Sequence, residues 1–296
     1  MAAGLLAGVA LDALLADPVR GHPVALYGRA VSAAEAHVYR DSRAAGVVFV
    51  GAAVAAPIAI GAVVPRRWPM IAAATWTVLG GTSLRREALV LHDLLVAKDL
   101  AGARARLPHL VGRDPTYLEP DEIARAVVES VAENTSDAVV APLLWGAAFG
   151  VPGLLGYRAV NTLDAMIGHH SPRYENFGWA AARLDDLANL TPARITAALV
   201  SLVGGAPSRT WGVVRRDARA HPSPNAGWCE AAYAGALGLQ LGGTNDYAGR
   251  VEVRPSLGVG RSATTSDLPR AARLLRKVTA VAAGVAALAA LLRGRR

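Results

Sequence analysis

The chain has 296 residues, of which 53% are hydrophobic and only 18% charged. Soluble domains usually carry about 45–50% apolar and about 25% charged residues, so the composition points toward a membrane protein. The net charge is +8, yet aromatics are only 5% and no basic tract interleaves with them, which argues against nucleic acid as a partner. Anionic lipid and phosphate-bearing substrates suit the charge better. Cys229 is the single cysteine, so no intrachain disulfide forms, and no Cys/His spacing suggests structural zinc.

Residues 1–16 are apolar apart from Asp12 and predict a short interfacial helix or a partial span. The start lacks a basic region and Asp12 cuts the apolar run, unlike a cleaved signal peptide. Asp17-Pro18 opens a turn, His22-Pro23 follows, and a polar helix is predicted from Leu26 to Asp41. Residues 44–64 hold no charge, and about 20 such residues cross a bilayer core. Arg66 and Arg67 end that run, and Trp68 to Leu84 is a second uncharged one. Together they predict a transmembrane hairpin, the alternative being a buried hairpin of a soluble core.

From Arg85 to Asp137 the chain is polar with helical period, Leu89, Leu91, Leu94 and Leu95 giving one stripe. Gly112, Pro115 and Pro120 mark a loop, and Asp121 is a candidate N-cap for a helix from Glu122. This lobe carries Arg85, Arg86, Lys98, Arg104, Arg106, Arg113 and Arg125, against Arg66 and Arg67 beyond the second run, so the positive-inside rule places it in the cytoplasm.

Ala138 to Phe149 is apolar but makes only about 18 Å of helix, too short to span. Gly150, Pro152, Gly153 and Gly156 then break it. Residues 138–156 are therefore expected to form a re-entrant helical hairpin, which is tolerated where irregular backbone is buried in protein or lines a wet cavity. Residues 195–208 are another short apolar run, 209–224 are basic, and 231–243 are a small-residue helix suited to close packing. The polar, Gly- and Ser-rich stretch to Ser266 reads as an exposed loop. Residues 278–292 predict a terminal membrane helix flanked by Arg273, Arg276 and Lys277 and by Arg293, Arg295 and Arg296.

Three constellations can carry chemistry. Glu129, Glu133 and Asp137 fall at i, i+4 and i+8, with Asn134 beside them. On one α-helix they share a face, and stacked carboxylates repel unless a cation such as Mg²⁺ sits among them. Arg158, Asn161 and Asp164 share a broad face on the outgoing arm of the hairpin. A re-entrant hairpin would return them to the side of the first set, forming a cleft for a phosphate–Mg²⁺ pair. Arg183, Asp185 and Asp186 form a compact group that binds Mg²⁺-diphosphate or merely caps a helix. Arg215, Arg216, Arg219 and His221 bind phosphate or face lipid headgroups. His169-His170 reads as plain loop. No P-loop, dinucleotide fingerprint, nucleophile elbow or zinc-protease helix occurs.

Longer strings carry a resemblance. They are Glu129-Ser130-Val131-Ala132-Glu133-Asn134-Thr135 with Asp137, Ala141-Pro142, and Tyr157-Arg158-Ala159-Val160-Asn161-Thr162-Leu163-Asp164. Arg173-Tyr174, Asn176-Phe177-Gly178-Trp179 and Ala182-Arg183-Leu184-Asp185-Asp186 follow. His221-Pro222-Ser223-Pro224-Asn225-Ala226-Gly227-Trp228 runs toward Ala234-Gly235-Ala236-Leu237-Gly238. Asp17-Pro18, His22-Pro23, Gly28 and Val111-Gly112-Arg113-Asp114 also fit. With these the chain resembles the integral-membrane adenosylcobinamide-phosphate synthase family of cobalamin biosynthesis. His169-His170 and Cys229 depart from it and bear only on local loop shape.

The resemblance implies ATP-dependent joining of adenosylcobyric acid to aminopropanol phosphate, with Mg²⁺. For that chemistry the candidate catalytic residues are Glu129, Glu133, Asp137, Arg158, Asp164 and Arg183, and the candidate metal ligands are Glu133, Asp137, Asp185 and Asp186. Asn134, Asn161, His22, His221 and Asn225 are the implied substrate contacts. The expected partners are the corrinoid, aminopropanol phosphate, membrane lipid and other late cobalamin-pathway enzymes.

The expectation is an all-α, multi-spanning integral membrane protein in the cell membrane, a single membrane-embedded catalytic domain over 1–296. It would have a polar-flanked re-entrant hairpin, a cytoplasmic helical lobe and a cytoplasmic active face. A membrane prenyltransferase using Mg²⁺-diphosphate and a transporter with a broken helix are the alternatives.

Overall fold

A computed structural model describes residues 1–18, 21–112, 114–247 and 250–294. Arg113, Ala248, Gly249, Arg295 and Arg296, which figure in the expectations above, lie outside the described residues.

The helices in chain order begin with α1 (Ala2–Leu15), α2 (Pro23–Val38), α3 (Arg43–Val63), α4 (Trp68–Val78), α5 (Gly81–Val96) and α6 (Leu100–Arg106). Next come α7 (Pro120–Thr135), a π-turn over Ser136–Val140, α8 (Ala141–Phe149) and α9 (Val151–Ile167). The chain continues through α10 (Trp179–Val203), α11 (Pro207–Asp217) and α12 (Ala226–Leu237). Strands β1 (Leu239–Tyr247), β2 (Arg250–Leu257) and β3 (Arg261–Ser262) precede α13 (Leu268–Gly294).

The strands correct three expectations: the all-α class, the helix over 231–243, which ends at Leu237 before β1 begins at Leu239, and the exposed loop up to Ser266. β1 pairs antiparallel with β2, Leu241 facing Leu257 and Gly243 facing Arg254, with a bulge between Leu241 and Gly243. β3 adds in parallel at the other edge, giving the order β2-β1-β3. Helix still dominates.

Several helix ends follow from local chemistry. α7 opens at Glu119, not Asp121: Glu119 and Glu122 form a reciprocal capping box, with Pro120 in the first turn. α4 stops at Val78, and Leu79 and Gly80 separate it from α5. The predicted second span of 68–84 is thus an 11-residue helix of about 16 Å. The 195–208 run is likewise divided between the end of α10 and the start of α11. Among the described residues two helices are long and apolar enough to cross a membrane: Arg43–Val63, whose most apolar stretch has mean hydropathy 2.3, and Thr265–Gly294, at 1.7.

The described chain divides into two compact units. The first comprises 1–80, 137–190 and 282–296. In it α1 packs on α4, and α9 packs on α3 and α8. Its core gathers Val31, Phe49, Val50, Leu163, Ile167 and Phe177. Each such side chain stabilises by roughly 1.5–3 kcal/mol when fully buried.

The α8–α9 connection is a single residue. Gly150 has φ +74°, a conformation that side chains disfavour, and it lets the chain reverse within one peptide. A Cβ at Gly153 would overlap the Trp145 carbonyl, so the two arms lie backbone to backbone. α8 and α9 thus form a tight helical hairpin.

The second unit comprises 81–136 and 191–281. Here α12 packs against α7 and α11, and nearly all its residues are buried. Tyr233 on α12 shares a buried 2.7 Å hydrogen bond with Thr135 on α7.

Candidate active site

The first unit holds a chain of polar side chains built on α9, α10 and the π-turn. Asn161 is its centre. Its Nδ2 donates to Asp137 Oδ2 at 3.3 Å and to Asp185 Oδ1 at 3.4 Å. Its Oδ1 accepts from Arg158 Nη1 at 3.2 Å. Asn189 extends the chain, donating to Asp185 Oδ2 at 2.9 Å and accepting from the Tyr157 hydroxyl at 2.8 Å.

Helical periodicity explains the grouping. Arg158 and Asn161 are three apart on α9, and Asp185 and Asn189 are four apart on α10, so each pair shares a face. Asp137 arrives by another route. α-helical phase ends at Thr135 and the backbone widens into the π-turn, so the i, i+4, i+8 spacing no longer applies at Asp137. The Gly150 reversal then returns Asn161 to it.

Electrostatics hold the cluster together. Burial pulls the Arg158 guanidinium below its ordinary value, while Tyr157, Asp17 and Asp137 oppose that pull. Among the described residues Arg158 Nε is buried without a hydrogen-bond partner. Burial, with Asp137 and Asp185 nearby, raises the Tyr157 phenol well above its usual range, so it remains a donor. A Cβ at Gly80 would sit 3.4 Å from Arg158 Nη2 and 4.0 Å from Asp17 Oδ2, so these groups are near neighbours.

Other predicted residues of this unit are placed differently. Asp164 packs at the C-terminal end of α9, where a Cβ on Gly168 would overlap its Oδ1. Asp186 pairs with Arg183 at 3.3 Å, away from the Asn161 bonds, and burial raises its carboxyl against the pull of Arg183. His169 meets the Tyr174 ring edge-on and His170 contacts Glu175 at 3.0 Å, both in the loop after α9.

The second unit holds the remaining predicted residues. Glu129 is buried, accepting from Gly242 N at 2.8 Å and from Arg125 at 3.4 Å. Those bonds pin the bulge of β1 to α7. Glu133 is exposed and lines a cavity of about 130 Å³ with Glu129, Ser130, Glu230 and Arg254. Asn134 donates to the Ser130 carbonyl at 3.0 Å. Asn225 accepts from Arg194 at 3.1 Å, and Arg194 lies 4.6 Å over the Trp228 ring.

The two His-Pro motifs do the same local work. His22 Nδ1 accepts from Val24 N at 3.2 Å, and His221 Nδ1 accepts from Ser223 N at 3.0 Å. Each Nε2 then faces a carboxylate, Asp17 at 3.6 Å and Glu230 at 3.8 Å. Sequence reasoning missed Asp17, Tyr157 and Asn189 as members of the first cluster. The Asp-Pro dipeptide and lone polar residues inside apolar helices were the available signals.

Mg²⁺ is commonly held by one or two carboxylates, with substrate phosphate and water completing the shell. Asp137 and Asp185 fit, because oxygens of both lie within 3.4 Å of one amide nitrogen. Among the described residues no group of three or more His, Cys, Asp or Glu is placed to enclose a metal, so substrate oxygens would have to contribute.

The chain is thus a predominantly helical protein with a hydrogen-bonded cluster of carboxylates, amides and a guanidinium. Its residues 5–275 match the family described as CobD/Cbib protein. It is 54% identical over 295 residues to the cobalamin biosynthesis protein CobD of Mycobacterium tuberculosis, covering 96% of this chain and 94% of that one. The CobD proteins of Rhodobacter capsulatus and Chromobacterium violaceum are 42% and 41% identical, with coverage of 88% and 96% of this chain and 86% and 95% of theirs. The chain belongs to the CobD/Cbib family, as the sequence strings suggested. No solved structure matches.

Proposed function

We propose that the chain acts in cobalamin biosynthesis by joining adenosylcobyric acid to aminopropanol phosphate, forming adenosylcobinamide phosphate at the expense of ATP. The observation that carries this reading is the convergence of Asp137 and Asp185 on Asn161, with Arg158 alongside. The near full-length likeness to CobD proteins supplies the pathway.

Amide formation from a free carboxylate needs that carboxylate activated, and transfer of the terminal phosphoryl group of ATP is the simplest route. The substrate oxygen attacks phosphorus, ADP leaves, and an acyl phosphate forms. The amine then attacks the acyl carbon, a proton leaves the nitrogen, and phosphate departs.

Asp137 and Asp185 would hold Mg²⁺, which neutralises phosphate charge. Arg158 would offset the charge developing on the transferring group. The ammonium must lose a proton before it attacks. Asn161 holds both carboxylates in place, and Asn189 fixes the far oxygen of Asp185.

The two apolar helices agree with association with the cell membrane. We place the active face in the cytoplasm, where ATP is available. Membranes bearing the chain, given adenosylcobyric acid and aminopropanol phosphate, should form the new corrinoid only with ATP. Flux of corrinoid across vesicles without chemical change would support a transporter. Prenyl transfer from a diphosphate would support the other alternative.

A further inference from the structure

We propose that the α2–α3 hairpin carries a binding groove for one anionic phospholipid. The groove, about 950 Å³, runs between the two helices and is lined mainly by apolar side chains, many of them alanines such as Ala30, Ala34, Ala45, Ala52 and Ala56. Small side chains on both walls leave open the space that larger ones would fill. Along α3 it extends from Ala44 to Ile60, about 24 Å of helix. One leaflet of hydrocarbon is roughly half of a 30 Å core, so an acyl chain fits lengthwise.

The exposure of α3 requires an apolar neighbour. Only 22% of its most apolar stretch is buried, and Val48 and Ile60 are 72% and 58% exposed. Leaving such a face in water is unfavourable. The inference rests on α3 lying in a bilayer and is independent of the ligation chemistry.

One end of the groove is different. There the α2–α3 turn brings His37, Arg40 and Ser42 to its rim. The nearby acids are already engaged. Glu35 accepts from Arg173 at 2.8 Å and from Tyr174, and Asp41 accepts from Asn176 at 3.0 Å. The Arg40 side chain makes no hydrogen bond or ion pair among the described residues. The N-terminal end of α3, with its positive dipole, faces the same rim. An uncommitted cation at the polar end of an apolar groove is the charge pattern that an anionic headgroup with its acyl chain completes.

The test is native mass spectrometry of the full chain released from detergent, titrated with phosphatidylglycerol or phosphatidylcholine of identical acyl chains. The first phosphatidylglycerol should bind at least about fivefold more tightly, the size of one basic residue near a membrane surface. Arg40→Gln should erase that preference and leave phosphatidylcholine binding unchanged. Ala52→Trp on one wall, and separately Ala34→Trp on the other, should remove the first adduct of both lipids. Both positions are exposed on the surface of the fold, which therefore tolerates the change. Equal affinity for the two lipids, or an unchanged preference in Arg40→Gln, would overturn the proposal. So would adducts that persist in both Trp variants, a lipid-free dimer, or displacement of the lipid by adenosylcobyric acid.

Discussion

Asn161→Asp tests the polar cluster at its centre. The wild-type amide donates to Asp137 and Asp185 at 3.3 and 3.4 Å and accepts from Arg158 at 3.2 Å. A carboxylate there removes both donations and sets three negative charges against one guanidinium. At an effective dielectric of about 20, each contact at this distance is worth roughly 5 kcal/mol. Two repulsions against one attraction leave a net penalty of about 5 kcal/mol. Protonation of one carboxyl caps it, since holding a proton on a group of ordinary pKa near 4 costs about 1.4 kcal/mol per pH unit. The cap is about 1.5 kcal/mol at pH 5 and exceeds the full penalty at pH 8.

The sign follows from linkage. The folded variant raises the pKa of a carboxyl above its unfolded value, so the fold is favoured at low pH and loses stability as pH rises through the folded pKa. Thermal unfolding of wild type and variant in the same detergent at pH 5 and pH 8 reads this directly. The gap between them should widen by about 3.5 kcal/mol from pH 5 to pH 8. A gap equal at both pH values would show that the three carboxyls do not meet, refuting the cluster.

The opposite pH dependence is expected at Asp217. Hydrogen bonds from Arg216 hold its carboxyl below the usual range, with the Gly258 amide assisting and burial opposing. Its contribution is present above the unfolded pKa of about 4 and is lost as pH falls through the lowered folded value, so Asp217→Asn should flatten the acid limb of an unfolding profile. Gly150→Ala should cost about 1–3 kcal/mol, because φ +74° with ψ −148° is a backbone region essentially confined to glycine and the added methyl would also press on the Met1 side chain. Chemical denaturation measures that cost, and an unchanged midpoint would contradict the one-residue reversal. For the re-entrant hairpin, Asp121→Cys, at an exposed position of α7, and Ser171→Cys in a Cys229→Ala background should label from the same side of sealed vesicles; labelling from opposite sides sinks it.

The parts of the fold that were legible in the sequence were those set by local pattern. The uncharged runs that become α3 and the end of α13 are such cases, and so is the break at Gly150. The second span was misjudged because the uncharged run continues past Val78, while the helix ends where the Gly80 amide turns to the Ala138 carbonyl. The start of β1 was read as the end of a small-residue helix, and the rest of β1 with β2 as loop, because Gly and polar residues outweigh a short alternation and pairing depends on residues far along the chain.

The site divided in the same way. Arg158 and Asn161 were legible as one helical face. Their partners Tyr157, Asp185 and Asn189 depend on α9 meeting α10, which no spacing within either helix specifies. Glu129 matched the carboxylate pattern equally well, yet its bonds go to the β1 bulge.

The central claim is that ATP-dependent amide ligation runs on the Asp137–Asn161–Asp185 centre. The most direct measurement is turnover by the purified chain with adenosylcobyric acid, aminopropanol phosphate, ATP and Mg²⁺, compared with Asp185→Asn. Wild type should consume one ATP per amide formed. Asp185→Asn should lower turnover about 100-fold or more, as loss of a charge-stabilising group does, and raise the Mg²⁺ requirement. Amide formation at the wild-type rate in Asp185→Asn, or no amide from the wild-type chain, would contradict the account.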